Sequence, residues 1–116
     1  MFIGLDLGTS HLKGIVIDDA QNVCAEASVS ISLMRPKSGW SEQNPQDWLD
    51  ATENVMASLA NKVNLKKVNA IGLSGQMHGA TLLDKNDNVL RPCILWNDTR
   101  SAKRHLTLIK KLSFEI

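Results

Sequence analysis

The first third of the chain alternates between short apolar runs and polar turns. Residues 2–7 and 12–17 are two apolar runs on either side of a small-residue turn, and apolar side chains occupy every second position of residues 23–31. A period of two is typical of β-strands, and the short connections allow only antiparallel neighbours. The pattern predicts three consecutive antiparallel strands.

A helical period replaces this alternation in residues 45–61, after the mostly polar residues 34–44, which predict a loop. Asn44 is suited to cap the helix, and Pro45 is favoured at its first position. We expect an amphipathic helix that packs one stripe of side chains on the sheet. The stripe consists of Trp48, Thr52, Val55, Met56 and Leu59.

The rest of the chain predicts a strand, a hairpin and a second helix. The apolar residues 68–74 follow a helix, which predicts a strand parallel to the first one. Residues 80–83 and 89–90 flank the polar sequence DKNDN and predict a hairpin, and a helix is expected from Asp98, as its N-cap, to about Leu112. Its predicted inner face consists of Ala102, His105, Leu106, Ile109 and Leu112. The order of elements predicts an α/β fold with a ribonuclease-H-like core, in which three antiparallel strands lead into a parallel one and helices pack on the sheet.

Length and composition narrow the classes of function. A chain of 116 residues is one domain at most, and its 43% hydrophobic residues and net charge of +1 are ordinary for a globular protein. The near-neutral charge argues against a nucleic-acid or membrane partner. Cys24 and Cys93 lack metal-ligand spacing, and no signal peptide or membrane span is apparent, which predicts a cytoplasmic protein.

The first turn carries residues suited to a phosphate group bound with a divalent metal ion. Asp6 lies at the end of the first strand and can hold Mg²⁺ through water. Gly8 allows backbone N–H groups to approach phosphate oxygens, Thr9 and Ser10 add donors, and Lys13 adds a positive charge. A hairpin turn that simply faces water is the alternative.

A second polar segment follows the predicted parallel strand. Gly75 and Gly79 bracket Gln76, Met77 and His78 at the carboxyl end of that strand, where α/β sheets bind ligands. An amide, an imidazole and a flexible apolar side chain together can bind a polyol. Taken alone, His78 is more typical of a structural histidine than of a ligand-binding one.

A third segment, PCILWNDTR at residues 92–100, brings Trp96, Asn97, Asp98 and Arg100 to the predicted start of the second helix. An aspartate at this position is also what a helix N-cap requires. The segment by itself therefore does not distinguish a binding role from a capping role.

Four motifs in consistent order resemble the FGGY family of carbohydrate kinases. They are IGLDLGTS at 3–10, WSEQNPQDW at 40–48, GLSGQMHGATLLD at 72–84 and LRPCILWNDTR at 90–100. The family uses ATP and Mg²⁺, and binds ATP and sugar in the cleft between two actin-like domains. The resemblance implies that residues 1–116 are part of the first domain. Because residues 114–116 carry no helix-stop signal, we expect the chain to be a truncated piece, inactive alone.

The resemblance also implies roles for individual residues. Asp6 would lie near the metal and the transferred phosphoryl group, and Gly8 to Ser10 would face the ATP phosphates. Met77 and His78, with Gln76, would contact the sugar, and Asn97 and Asp98 would lie at or near its pocket. The family's catalytic base would come from a segment outside these residues.

The motifs GQMHG and WND with Arg100 imply D-xylulose as the sugar rather than glycerol, with gluconate as the nearest alternative. His11 departs from the small residue usual in the family and raises the question of whether it crowds the phosphates. Two other functions stay open: a non-catalytic or degenerate sugar-binding lobe, which could self-associate as a homodimer, and a two-metal nuclease, in which Glu53 would supply a second carboxylate.

Overall fold

The computed structural model describes residues 1–112 as six strands and two α-helices, with one turn of 3-10 helix at Leu65–Lys67. The elements are β1 (Phe2–Leu7), β2 (His11–Ile17), β3 (Val23–Ser30), β4 (Glu42–Gln43), α1 (Pro45–Ala60), β5 (Ala70–Gly75), β6 (Cys93–Ile94) and α2 (Ala102–Leu112).

The main sheet has the strand order β3-β2-β1-β5. Strands β1, β2 and β3 are antiparallel neighbours, and β5 lies parallel to β1. Asp6 faces Lys13 across the β1–β2 pair and Ser74 across the β1–β5 pair. The predicted mixed sheet is thus confirmed.

The core lies between this sheet and α1. The alternate residues Ile3 and Leu5 of β1 are buried, and Val55 and Leu59 of α1 are completely inaccessible to solvent. Gly14 allows this close packing, because a Cβ atom there would lie 2.5 Å from Cγ1 of Val55. The predicted helix is confirmed, since α1 begins at Pro45 and ends one residue before the predicted end.

The N-terminus of α1 is capped as predicted. The side chain of Asn44 accepts a hydrogen bond of 3.2 Å from the backbone N–H of Gln46, and Pro45 occupies the first turn. One of the N–H groups that a helix leaves without an internal partner is thereby satisfied.

The prediction of a polar loop over residues 34–44 was wrong in part. Glu42–Gln43 forms β4 and pairs antiparallel with β6 in a separate two-stranded sheet. Ser41, Glu42 and Gln43 are 3%, 6% and 0% exposed. Apart from Met34 and Trp48, their hydrogen-bond and charge partners lie 33 to 58 residues away in the chain. A local polarity pattern therefore could not reveal that these polar residues are buried.

The prediction that Asp98 caps the second helix was also wrong. Helix α2 begins at Ala102, and the Asp98 carboxylate instead binds the backbone N–H of Ser41 and the side chain of Arg100. The predicted inner face is largely exposed, with Leu106 at 60% and Ile109 at 47%. The side chain of Leu112, and the predicted truncation at residues 114–116, lie outside the described residues.

The predicted hairpin at residues 80–90 is present only in reduced form. Leu83 and Val89 form an isolated bridge rather than two regular strands. The carboxylate of Asp84 closes the turn by accepting hydrogen bonds from the backbone N–H groups of Asn86 and Asn88, at 2.7 and 2.9 Å. Neither helix in the described part of the chain has the length and hydropathy that a membrane span requires.

Candidate functional site

The Asp6 side chain lies on the face of the sheet opposite α1. Leu5 is buried against α1, so its neighbour Asp6 points to the other face and is exposed. Lys13 is also exposed and is the direct cross-strand neighbour of Asp6. The structure thus brings together the predicted carboxylate and the predicted positive charge.

The chemistry of this position fits a single carboxylate ligand for Mg²⁺. No group of three or more acidic, histidine or cysteine side chains with metal-binding geometry occurs in residues 1–112. Mg²⁺ is commonly held by one or two carboxylates together with substrate phosphates and water. Asp6 is therefore suited to a metal that arrives with a nucleotide, rather than to a metal held by the protein alone.

The turn after Asp6 is closed by a hydrogen bond of 3.0 Å from the Gly8 N–H to the His11 carbonyl oxygen. A Cβ atom at Gly8 would lie 3.1 Å from that oxygen, a tight contact, so glycine favours this close approach. The side chains of Ser10 and His11 are both exposed. The bulk of His11 therefore lies in solvent and does not fill the interior of the turn.

Thr9 links this turn to the predicted sugar-binding segments. Its hydroxyl group donates to Oε1 of Gln76 at 3.0 Å and accepts from Nε1 of Trp96 at 3.2 Å. A hydroxyl group has one proton to donate. The Thr9 hydroxyl group therefore donates its one hydrogen bond to Gln76, and the exposed Ser10 side chain is the other hydroxyl donor of the turn.

Gln43, which the sequence analysis did not identify, lies beneath this turn and is completely buried. Its Nε2 atom donates to the Thr9 carbonyl oxygen at 2.7 Å. Its Oε1 atom accepts from Nε2 of Gln76 at 2.8 Å and from Nε1 of Trp48 at 3.1 Å. The amide oxygen and nitrogen of Gln76 are thus both hydrogen-bonded within the chain. The amide therefore fixes the position of the segment that follows it.

His78 lines a second groove, of about 470 Å³, together with Trp96 and Arg91. This volume lies in the range of small-molecule sites. Trp96 is 57% exposed and Met77 67% exposed, so both are accessible to a ligand. Asp6, Lys13 and Ser74 border a different groove, which is also lined by Leu73 and by Ser58 and Lys62 near the end of α1. That groove therefore extends to the α1 side of the sheet and does not mark a pocket at the Asp6 carboxylate.

Asp6 and His78 therefore do not line a common groove in residues 1–112. The hydrogen bonds of Thr9 join the turn after Asp6 to Gln76 and to Trp96, and Trp96 lines the His78 groove.

The backbone of His78 adopts a left-handed conformation, with φ of 62°. This region is uncommon for residues other than glycine, and asparagine, aspartate and histidine are enriched among the exceptions. Strained backbone of this kind tends to occur at ligand-binding positions.

Asp98 is part of a buried ion-pair network rather than a free ligand. Its side chain is 2% exposed, and its two oxygens accept from Nε and Nη2 of Arg100 at 2.8 and 2.6 Å. Arg100 also contacts Glu42 at 2.7 Å. The hydrogen bonds from Arg100 hold the pKa of Asp98 well below its ordinary value, and the same bonds raise the pKa of Arg100.

Asn97 lies beside this network. Within residues 1–112, its Oδ1 atom is buried without a hydrogen-bond partner, as is Oγ of Ser41. A buried oxygen of this kind needs a donor from a water molecule, a ligand or a further part of the protein.

Comparisons with known proteins agree with this arrangement of motifs. Residues 1–115 match the N-terminal domain of the FGGY family of carbohydrate kinases. The xylulose kinase of Escherichia coli is 48% identical over 103 residues, which cover 89% of this chain and 21% of that protein. The chain thus spans about a fifth of the length of this relative.

Solved structures show the same fold. A crystal structure of a xyloylose kinase from Brucella ovis has a TM-score of 0.88 and 49% identity, over 97% of this chain and 24% of that one. A gluconate kinase from Lactobacillus acidophilus has a TM-score of 0.87 and 32% identity, over 97% of this chain and 23% of that one. The described residues form the start of the same actin-like kinase fold, and the chain belongs to the FGGY family of carbohydrate kinases.

Proposed function

We propose that this chain is the N-terminal portion of a xylulose kinase, which transfers the terminal phosphoryl group of ATP to D-xylulose. The observation that carries the proposal is the direct hydrogen bond between Thr9, in the turn suited to phosphates, and Gln76, which precedes Met77 and His78. The names and identities of the relatives favour xylulose among the sugars of the family.

On the phosphate side, we assign Asp6 to Mg²⁺, through water, and Lys13 to the phosphate charge. The metal, when bound with ATP, neutralises charge on the phosphate oxygens. The backbone N–H groups after Gly8 and the Ser10 hydroxyl supply donors to these oxygens, whereas Thr9 holds the turn in place. These groups position the phosphates and neutralise their charge, and phosphoryl transfer depends largely on both effects.

On the sugar side, we assign Met77 and His78 to direct contact with the sugar and the exposed ring of Trp96 to one wall. Asn97 is placed beside this wall because it follows Trp96 in the chain, although its Oδ1 atom is buried in this structure. Asp98 and Gln76 support this surface, since their polar atoms are paired inside the chain.

A complete reaction needs one more group. The attacking sugar hydroxyl must lose its proton to a base held within hydrogen-bond reach. Asp6 is reserved for the metal and Asp98 is paired with Arg100, so we place the base in a part of the full-length kinase outside residues 1–116. The 116-residue chain alone is therefore expected to show no turnover.

The metabolic setting is also part of the proposal. The free thiols Cys24 and Cys93 suit the reducing cytoplasm. A xylulose kinase in that compartment would act in xylose metabolism.

To test the proposal, we would express the complete reading frame that contains residues 1–116 and measure ATP-dependent phosphorylation of D-xylulose, gluconate and glycerol. We expect kcat/KM to be highest for D-xylulose, with strict dependence on Mg²⁺. A preference for gluconate or glycerol would reject the choice of sugar.

A chimeric enzyme separates the properties of this chain from those of its continuation. Residues 1–112 would replace the matching segment of Escherichia coli xylulose kinase, with the unmodified enzyme as the control. We expect the chimera to phosphorylate D-xylulose at a rate within about tenfold of the control. A folded chimera without sugar binding would contradict the assignment of Met77 and His78.

The gluconate alternative rests on one specific likeness, the Lactobacillus acidophilus gluconate kinase at 32% identity. The same assay decides it. The two-metal nuclease has no comparable support, because Glu53 is exposed on α1 and no cluster of three acidic residues occurs in the described part of the chain.

A further inference from the structure

The two-residue strand β4 contacts both the turn at residues 8–11, called the phosphate turn here, and the side chains that line the His78 groove. Glu42 forms ion pairs with Arg91 at 2.9 Å and with Arg100 at 2.7 Å, and both arginines line the His78 groove. Gln43 binds the Thr9 carbonyl oxygen in the phosphate turn at 2.7 Å. One short buried segment thus contacts both the phosphate turn and the arginines of the His78 groove.

The side chain of Gln43 makes hydrogen bonds to three different residues. Its amide oxygen accepts from Gln76 and Trp48, its amide nitrogen donates to Thr9, and none of its surface is exposed. Each hydrogen bond fixes the orientation of the amide for the others, because the oxygen and nitrogen cannot exchange places without losing all three. The amide is therefore held in one orientation.

This orientation bears on both ligands. Gln43 fixes the side chain of Gln76, which accepts a hydrogen bond from the Thr9 hydroxyl group. The backbone N–H of Gln76 donates to the Leu7 carbonyl oxygen at 2.8 Å. Gln76 is followed at once by Met77 and His78. A displacement of the Gln43 amide would move the phosphate turn and the start of the sugar-contacting segment together.

We propose that Gln43 is a positioning residue that sets the phosphate turn and the Gln76–His78 segment in a single mutual geometry. The proposal rests on the proposed function for its catalytic consequence, but its structural content concerns residues 1–112 alone. Gln43 contacts neither ligand and acts through Thr9 and Gln76.

The first test compares the Q43M, Q76M and double variants in the complete reading frame. Methionine approximates the volume of glutamine and removes the hydrogen bonds. We expect each single variant to lower kcat/KM for D-xylulose at least tenfold. The kcat/KM of the double variant should lie within threefold of that of the less active single variant. Q46M is the matched control, because Gln46 is exposed and bonds only Asp50 through its side chain, and it should stay within twofold of wild type.

A wild-type rate for Q43M would overturn the proposal. So would losses that multiply in the double variant, because residues that act through one network do not contribute independently.

The second test uses Q43E, which keeps the shape of the side chain if Q43M does not fold. A protonated glutamic acid can reproduce all three hydrogen bonds, whereas the carboxylate cannot donate to the Thr9 carbonyl oxygen. We expect the ratio of Q43E to wild-type kcat/KM to fall about tenfold between pH 6 and pH 8.5. A ratio that does not change with pH would overturn the hydrogen-bonding role.

Hydrogen exchange separates failure of this proposal from failure of the proposed function. In the Q43M protein, the hydrogen-bonded amides of Gly8 and Gln76 should exchange at least tenfold faster than in Q46M, whether or not any sugar is phosphorylated. Unchanged exchange in a folded Q43M protein would overturn the positioning role. Absence of kinase activity in the wild type, with faster exchange in Q43M, would overturn only the proposed function.

Discussion

Several side chains that support the candidate site are polar and buried, and each has more than one partner. Gln43 and Asp98 show this most clearly, since one is fully buried and the other has 2% of its side chain exposed. Removing one partner of such a group leaves the other unsatisfied, which costs more than the bond itself contributes. Single substitutions at these positions should therefore have large effects.

Asp98 gives a pH-dependent prediction. Its pKa is lowered in the folded state from an ordinary value of 3.8, so its contribution to stability is present above pH 4 and is lost as the pH falls below that value. We expect D98N to lower the free energy of unfolding by about 2 kcal/mol at pH 7, and by less at pH 3. Urea denaturation at the two pH values measures this, with D19N as the control because the Asp19 side chain is 81% exposed. An equal effect of D98N at both pH values would contradict the role of the ion pair.

His78 gives a prediction that separates backbone strain from binding. Because φ is 62°, H78N should change the free energy of unfolding by less than about 0.5 kcal/mol, whereas the β-branched H78V should lower it by about 1–2 kcal/mol. Both variants should bind D-xylulose at least tenfold more weakly. Denaturation and calorimetric titration test the two effects, and unimpaired sugar binding by H78N would remove His78 from the site.

At the scale of elements, the sequence predicted those whose local pattern and packing agree. Strands β1 to β3 and helix α1 follow from alternation, helical spacing and the Asn44 cap, because each packs one apolar face on a single core. Strand β4 and the start of α2 could not be predicted from the local sequence pattern. They depend on pairs such as Ser41 with Asp98, which lie 57 residues apart.

The candidate site divides in the same way. The motifs predicted Asp6, Gly8 and His78 as site residues because their residue types suit phosphate and sugar chemistry. They did not reveal that Gln76 and Asp98 use their polar atoms inside the chain, since the partner residues follow only from the three-dimensional arrangement.

The contact between β2 and α1 can be tested at Gly14. A Cβ atom there would lie 2.5 Å from Val55 and 3.0 Å from Leu59, so G14A should lower the free energy of unfolding by about 1–3 kcal/mol. G72A in β5 is the matched control, because the nearest atom to its Cβ would be the Ile3 carbonyl oxygen at 3.9 Å. Equal stability of the two variants in urea denaturation would contradict the packing described here.

At the scale of the whole molecule, β5 stands at the edge of the main sheet with apolar side chains uncovered within residues 1–112. Ile71 is 52% exposed and Leu73 80% exposed, on the face that elsewhere packs on α1. An edge strand with exposed apolar residues favours pairing with another chain.

We therefore expect the 116-residue chain to self-associate in a concentration-dependent manner. Sedimentation velocity measures this, and L73S should shift the distribution toward monomer. The control is L49S, because Leu49 is 60% exposed on α1, away from the sheet edge. A chain that stays monomeric at high concentration would show that this edge does not drive association.

The central claim is that Asp6 serves the metal-bound phosphates whereas His78 binds the sugar. The most direct measurement compares D6N with wild type in the complete reading frame, by titration with D-xylulose and by steady-state kinetics. The account predicts a sugar Kd within threefold of wild type and a kcat at least 100-fold lower, because Asp6 serves the metal and not the sugar. A D6N protein that keeps its kcat, or that loses sugar affinity as much as H78N does, would contradict it.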